Sequence, residues 1–148
     1  MNIDLSQHEA DLLLDMAKVR EDEQEWDISS SQARIEIPLF SEDNSEKFIL
    51  DIRRHRFNLL KGTLQNRARG CIILARLDYG GAPHRNPDDQ EIPSPHLHVY
   101  KEGYGDKWAY LIDPQIFSNT EDHWKTLHEF LDYCNVIRPP HFKRGLFT

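Results

Sequence analysis

The chain has 148 residues, 39% of them hydrophobic and 29% charged, and carries a formal net charge of −7. That is enough chain for a single domain spanning 1–148 to bury a core without disulfide or metal staples, and no apolar run approaches the roughly 18 residues that a membrane span needs. The start, Met1 to Glu9, lacks a basic segment and an apolar h-region, so the sequence predicts a cytoplasmic protein without membrane contact.

The first predicted element is a helix from Ser6 to about Glu23. Ser6 and Glu9 form a capping box, and Leu12, Leu13, Met16, Ala17 and Val19 make one apolar stripe. The acidic, serine-rich stretch 21–31 has no periodicity and reads as a loop from which Trp26 tucks back. Residues 34–40 alternate as a strand in which Pro38 favours an edge position, and 48–53 alternate as a second strand able to pair with the first as a hairpin. A third strand is expected over 57–65 and a fourth, nearly all apolar and therefore central, over 71–77.

Charge is segregated along this region. Between Ile52 and Leu77 stand seven cations (Arg53, Arg54, Arg56, Lys61, Arg67, Arg69 and Arg76) and no acid, although the whole chain holds 25 acids against 18 Lys and Arg. Two readings stay open: the cations pair with acidic loops across the fold, or they form a phosphate-binding face, with Arg53, Arg54, Arg56, Lys61, Arg67 and Arg69 as its residues.

The irregular segment from Tyr79 to Pro95 is long for a connection inside a compact domain and brings His84 and Arg85 close to the His96 strand. Residues 95–113 hold the densest set of reactive side chains and read as a hairpin. His96, His98 and Tyr100 share one face of its first strand, Leu97 and Val99 the opposite, core-facing one. Gly103 and Gly105 supply the turn, and Trp108 to Ile112 the return strand. Ser118 and Glu121 suggest a second capping box, opening an amphipathic helix that ends near Asn135. The last residues, 139–148, are apolar enough to dock on the body or on a partner. Cys71 and Cys134 suit two reduced, buried thiols.

The block Pro95-His-Leu-His-Val-Tyr-Lys-Glu-Gly-Tyr-Gly-Asp-Lys-Trp-Ala109, with Arg76-Leu-Asp-Tyr-Gly-Gly-Ala-Pro-His-Arg-Asn-Pro-Asp88 upstream and Phe130-Leu-Asp-Tyr-Cys-Asn-Val136 downstream, resembles a family of small uncharacterised bacterial proteins over most of 45–148. The resemblance implies a bacterial or phage source and a cytoplasmic location, and no catalytic assignment. The shorter Pro-His-x-His-Val pattern is similar to small proteins found with toxin and antitoxin modules.

Three chemistries fit these residues. His96, His98, Tyr100, Lys101 and His84 could supply acid, base and orienting groups for phosphodiester chemistry on RNA, with the arginines neutralising phosphate. His96 and His98, completed by His84 with Asp88, Asp89 or Glu91, could hold a metal, but no His-Glu-x-x-His helix or nearby cysteine supports this, and neither metal nor cofactor is assigned. Tyr100, Tyr104, Trp108 and Tyr110 could instead form a surface for a protein partner, as in an inhibitor or adaptor in phage defence, or the face is simply polar, its imidazoles bonded to Asp106, Asp113 or backbone. The expected fold is α+β: an N-terminal helix, an antiparallel meander of about five to six strands and a C-terminal helix on one face. The expected function is that of a toxin-like or defence-associated protein engaging RNA or another phosphate-rich ligand.

Overall fold

The computed structural model describes residues 4–28, 34–55, 57, 58 and 60–143. It contains helices α1 (Gln7–Asp15) and α2 (His123–Tyr133). Its strands are β1 (Lys18–Arg20), β2 (Glu25–Asp27), β3 (Arg34–Ser41), β4 (Lys47–Arg54), β5 (Gly62–Ala68), β6 (Ile72–Tyr79), β7 (His84–Arg85), β8 (Glu91–Ile92), β9 (His96–Val99), β10 (Ala109–Leu111), β11 (Val136–Arg138) and β12 (His141–Lys143). Eight strands form one mixed sheet in the order β10-β9-β6-β5-β4-β3-β1-β11, while β12 with β2 and β7 with β8 make two small ones.

This overturns the expected five-to-six-strand meander with flanking helices, since the described chain is 42% strand and only 15% helix. The β3–β6 meander exists, but the sheet continues past both of its ends on strands of three or four residues, too short to show a period. One of these, β11, runs parallel to β1.

Several boundaries move for identifiable reasons. Ser6 does cap α1, accepting a bond from the Glu9 amide, but the helix stops at Asp15. Residues 18–20, expected in that helix, become a strand between β3 and β11, so tertiary pairing overrides the helical pattern. Asp122, rather than Ser118, caps α2, and Ser118 bonds Glu129 instead. β3 is an interior strand despite Pro38. Its partner β1 reaches only Leu39 to Ser41, so the proline lies beyond the end of that ladder, where a missing N–H costs little. Trp26 and Phe142 meet as partners in the β2–β12 pair, which docks the chain's final described residues on its body. Cys134 is buried, whereas Cys71 is exposed at the β5–β6 turn.

The register sorts side chains into two faces. Ile35, Ile52, Leu64, Leu77 and Leu97 stand opposite one another across five strands. Both helices add to this apolar core, through Ala10 and Leu13 of α1 and Leu127, Phe130 and Leu131 of α2. One residue along each strand, the other face carries the row Arg34, Arg53, Thr63, Asp78 and His96. Two residues further comes the row Glu36, Asp51, Gln65, Arg76 and His98. Two rows of directly opposed polar residues therefore run across the sheet, one of them ending at each histidine of β9.

Candidate functional site

At the β6–β9 end of these rows, three side chains converge. Asp78 Oδ2 lies 3.5 Å from His96 Nε2 and 3.2 Å from His98 Nε2, and Asp78 Oδ1 accepts a bond from Thr63 Oγ1 at 2.8 Å. Arg76 is bound mainly to Asp106, at 2.7 Å, and also reaches Asp78 and His98 Nε2, at 3.3 and 3.1 Å. Burial alone would raise the Asp78 carboxyl. The bonds from His96 and His98, with Arg76 and Thr63, outweigh it and hold the group well below the usual carboxylate range.

The segment between β6 and β9 covers this face. Its β7–β8 hairpin places the His84 ring 4.6 Å from that of His98 and 5.9 Å from that of His96. The hairpin is fastened by Asn86, whose buried amide accepts from the Ala109 N–H and donates to the Ala109 carbonyl, at 2.8 and 2.9 Å, as a neighbouring strand would.

Where β4, β5 and β6 end, a pocket of about 480 Å³ opens, lined by Arg53, Arg54, His55, Lys61, Gly62, Thr63, Asp78, Tyr79, Gly81, Ala82 and His96. Three permanent cations face one carboxylate there, in a chain whose net charge is negative. Arg54 is 9% exposed; it donates to the Ile28 carbonyl at 3.1 Å and to His123 Nδ1 at 2.7 Å, and its Nε has no partner among the described residues. Among the described residues it meets no carboxylate. His55 Nδ1 accepts from the amides of Phe57 and Asn58, which shapes the loop at the rim and leaves Nε2 to carry the proton.

The residues singled out in the sequence therefore separate. Arg53, Arg54, Lys61 and His96 all line the pocket, Arg54 from the side of the sheet that faces α2, Arg53 and His96 from the opposite side. His98 lies behind it, with Nδ1 donating to the Asp106 carbonyl at 2.8 Å, and His84 Nε2 donates to the Lys107 carbonyl at 2.7 Å. Tyr100 is buried, its hydroxyl bonded to both the amide and the carbonyl of Leu5, and Lys101 lies 4.2 Å from the centre of the Trp108 ring. Arg67 pairs with Asp51 and Arg69 with Glu46 at the far end of β5, which is the charge-pairing alternative for those two. Arg56 falls outside the described residues. Asp88, Asp89 and Glu91 sit on the exposed β7–β8 turn and hairpin, away from the cluster whose carboxylate is Asp78. The aromatic residues expected at a protein surface are mixed: Tyr104 packs edge-on against Trp108 at 5.7 Å, while Tyr110 is exposed on the edge strand β10.

Sequence inspection missed Asp78, Thr63, Tyr79 and His123, and counted Arg76 among the cations of the basic segment without placing it beside the histidines. Asp78 left one signal: it alternates with Leu77 and Tyr79, so it faces away from the core at the end of the apolar strand.

No helix among the described residues is long and apolar enough to cross a membrane. No curated protein and no solved structure matches the chain. A family model does, over residues 5–136, further toward the N-terminus than the resemblance over 45–148: the chain belongs to the family of unknown function DUF6978.

Proposed function

We propose that the protein binds a small phosphate-bearing ligand in the pocket between Arg54, Lys61 and His96. The carrying observation is Arg54, a guanidinium nine-tenths buried beside a cavity and without a carboxylate among the described residues. A buried charge is costly unless an opposite charge compensates it, and arginine cannot discard its proton. A bound anion supplies that compensation, and the guanidinium has N–H groups beyond the two spent on Ile28 and His123 to offer phosphate oxygens. Arg53 and Lys61, both exposed at the mouth, add attraction at longer range. Thr63, His96 and the Tyr79 hydroxyl offer polar contacts deeper in.

About 480 Å³ is the size of a site for one nucleotide-sized ligand. Phe57, 90% exposed two residues after His55, offers a ring on which a base can stack. RNA, the ligand suggested by the basic segment, would enter as a strand end or a single splayed nucleotide. Nothing in the pocket favours a toxin-like or defence-associated role over other uses of such a ligand.

Calorimetric titration with inorganic phosphate, a nucleoside monophosphate and a short single-stranded RNA tests this. Arg54→Gln and, as a surface variant that leaves the fold alone, Lys61→Ala should each weaken binding, the first by at least about tenfold. Arg67→Gln, at the far end of β5, should not. Equal binding by all three variants, or no binding by the native chain, would refute the proposal.

A further inference from the structure

We infer that Asp78, His96 and His98 form a binding site for one divalent metal ion at the inner wall of the pocket. Their ligand atoms lie within 4.8 Å of one another, and they come from the adjacent strands β6 and β9, whose register fixes them. Two imidazoles and one carboxylate are a donor set used by zinc and similar first-row ions when a coordination position is left open.

The orientation of the rings supports an ion more directly than the residue types do. A metal-bound histidine characteristically hands its other ring N–H to a carbonyl or carboxylate, which fixes the tautomer and aims the free nitrogen. His98 Nδ1 lies 2.8 Å from the Asp106 carbonyl and His96 Nδ1 lies 3.3 Å from that of Pro93, so in both rings Nε2 is the inward nitrogen. Both rings are almost wholly buried, and both Nε2 atoms point at the same oxygen, Asp78 Oδ2.

Hydrogen bonding alone leaves a conflict at His98 Nε2. It stands 3.2 Å from a carboxylate oxygen, which demands a proton on the nitrogen, and 3.1 Å from Arg76 Nη2, which demands a lone pair. No single protonation state serves both neighbours. A cation between Nε2 and Asp78 satisfies the nitrogen and the oxygen together. Arg76 can give up this contact because its shorter bond, 2.7 Å, goes to Asp106. His84, whose ring is 4.6 Å from that of His98, is the nearest further imidazole.

Asp78 and His96 also line the pocket, so an ion held there would present its open position to the ligand. That consequence rests on the phosphate proposal; the metal site itself does not. The two are separated by titrating chelator-treated, tag-free protein first with Zn²⁺ alone and then with inorganic phosphate in the presence and absence of Zn²⁺. The expected result is one Zn²⁺ per chain, a Co²⁺ visible spectrum of low coordination number, and at least about hundredfold weaker binding in His98→Asn and in Asp78→Asn, the latter keeping the shape of the side chain. Zn²⁺ binding without phosphate binding would uphold the metal site and end the phosphate proposal. Phosphate binding by a chain that takes up no Zn²⁺, or Zn²⁺ binding unchanged in both folded variants, would overturn the metal site.

Discussion

The Arg54 guanidinium donates to Nδ1 of His123 at 2.7 Å, so this buried cation is held by an imidazole lone pair rather than by a carboxylate. The bond fixes the neutral His123 tautomer with its proton on Nε2, an atom that is buried without a partner. Among the described residues no carboxylate cancels the charge of Arg54 beside the pocket.

The same contact predicts an acid-sensitive step. Burial, and then the Arg54 charge, push the His123 imidazole below its ordinary 6.5 against the pull of Asp122, and the ring of Tyr79 packs 5.2 Å away. The unfolded chain therefore takes up this proton at a higher pH than the folded one. Stability from this group is complete above 6.5 and is lost as pH falls from there through the depressed folded value. Denaturant midpoints measured from pH 7.5 to roughly 5 should fall in the native protein and fall less in His123→Gln, whose amide oxygen can still accept from Arg54. Parallel curves would show that His123 titrates normally.

Lys18 predicts the opposite limb. Its ammonium is wholly buried and donates to the carbonyls of Leu14, Met16 and Cys134, at 2.7, 2.9 and 2.7 Å, beside the Phe48 ring. One cation thus binds the C-terminal carbonyls of both helices, where the helix dipoles are negative. Burial pushes it down to about 8, while Cys134 and Asp15 oppose the shift. Lys18→Met strands these acceptors and should cost on the order of 3 kcal/mol in urea unfolding. In the native chain Lys18 makes stability rise with pH above 8, because there the unfolded state holds the extra proton; the Cys134 thiol, pushed up to about 12, opposes this above 9. The methionine variant should lose the rise between 8 and 9. A rise that persists in the variant would assign it to another group.

How much of this was legible in the sequence depends on the range over which each feature is encoded. Alternation in His96-Leu97-His98 is local, and the structure keeps it. So is the Ser6 cap. The partner of the histidines is not local: Asp78 meets His96 because of the β6–β9 register, set after an excursion of sixteen residues, 80–95, whose β7–β8 hairpin no period announces. Strands β1, β10 and β11, of three residues each, are defined by what they pair with. The basic segment shows the same limit. Composition groups Arg53, Arg54 and Lys61 with Arg67 and Arg69, but β5 is extended, so its two ends lie apart, and only the far end meets Asp51 and Glu46.

Burial on both faces of β9 changes what substitution should do. His98 is 1% exposed and Leu97 is also buried, on opposite sides. His98→Ala removes the bond to the Asp106 carbonyl and should cost about 1 to 3 kcal/mol, Leu97→Ala about 2 to 5. Tyr100→Phe, which leaves the Leu5 amide and carbonyl without the hydroxyl, belongs with the first. Thermal unfolding of the three variants checks this, and an unchanged melting temperature for His98→Ala would mean that the β7–β8 hairpin does not close over the polar face.

Gly62 provides a test of the pocket wall itself. It pairs with Arg54 on one side and Tyr79 on the other, and a Cβ built there would stand 2.5 Å from the Tyr79 hydroxyl and 2.7 Å from the Arg53 carbonyl. The first neighbour is a side chain that can be shortened; the second is backbone within a ladder and has little room to yield. Gly62→Ala should therefore destabilise the fold by roughly 1 to 3 kcal/mol and push Tyr79 toward the cavity. Adding Tyr79→Phe removes the hydroxyl but keeps the ring carbon Cζ, 2.7 Å from the built Cβ, so the double variant should recover part of the loss but not all of it, a coupling readable from a double-mutant cycle in urea. Full recovery would place all the strain on the hydroxyl, and no recovery would place it on the ring carbon Cζ and the β4 backbone. A stable Gly62→Ala chain would mean that β4 and β5 lie further apart at the pocket than these distances require.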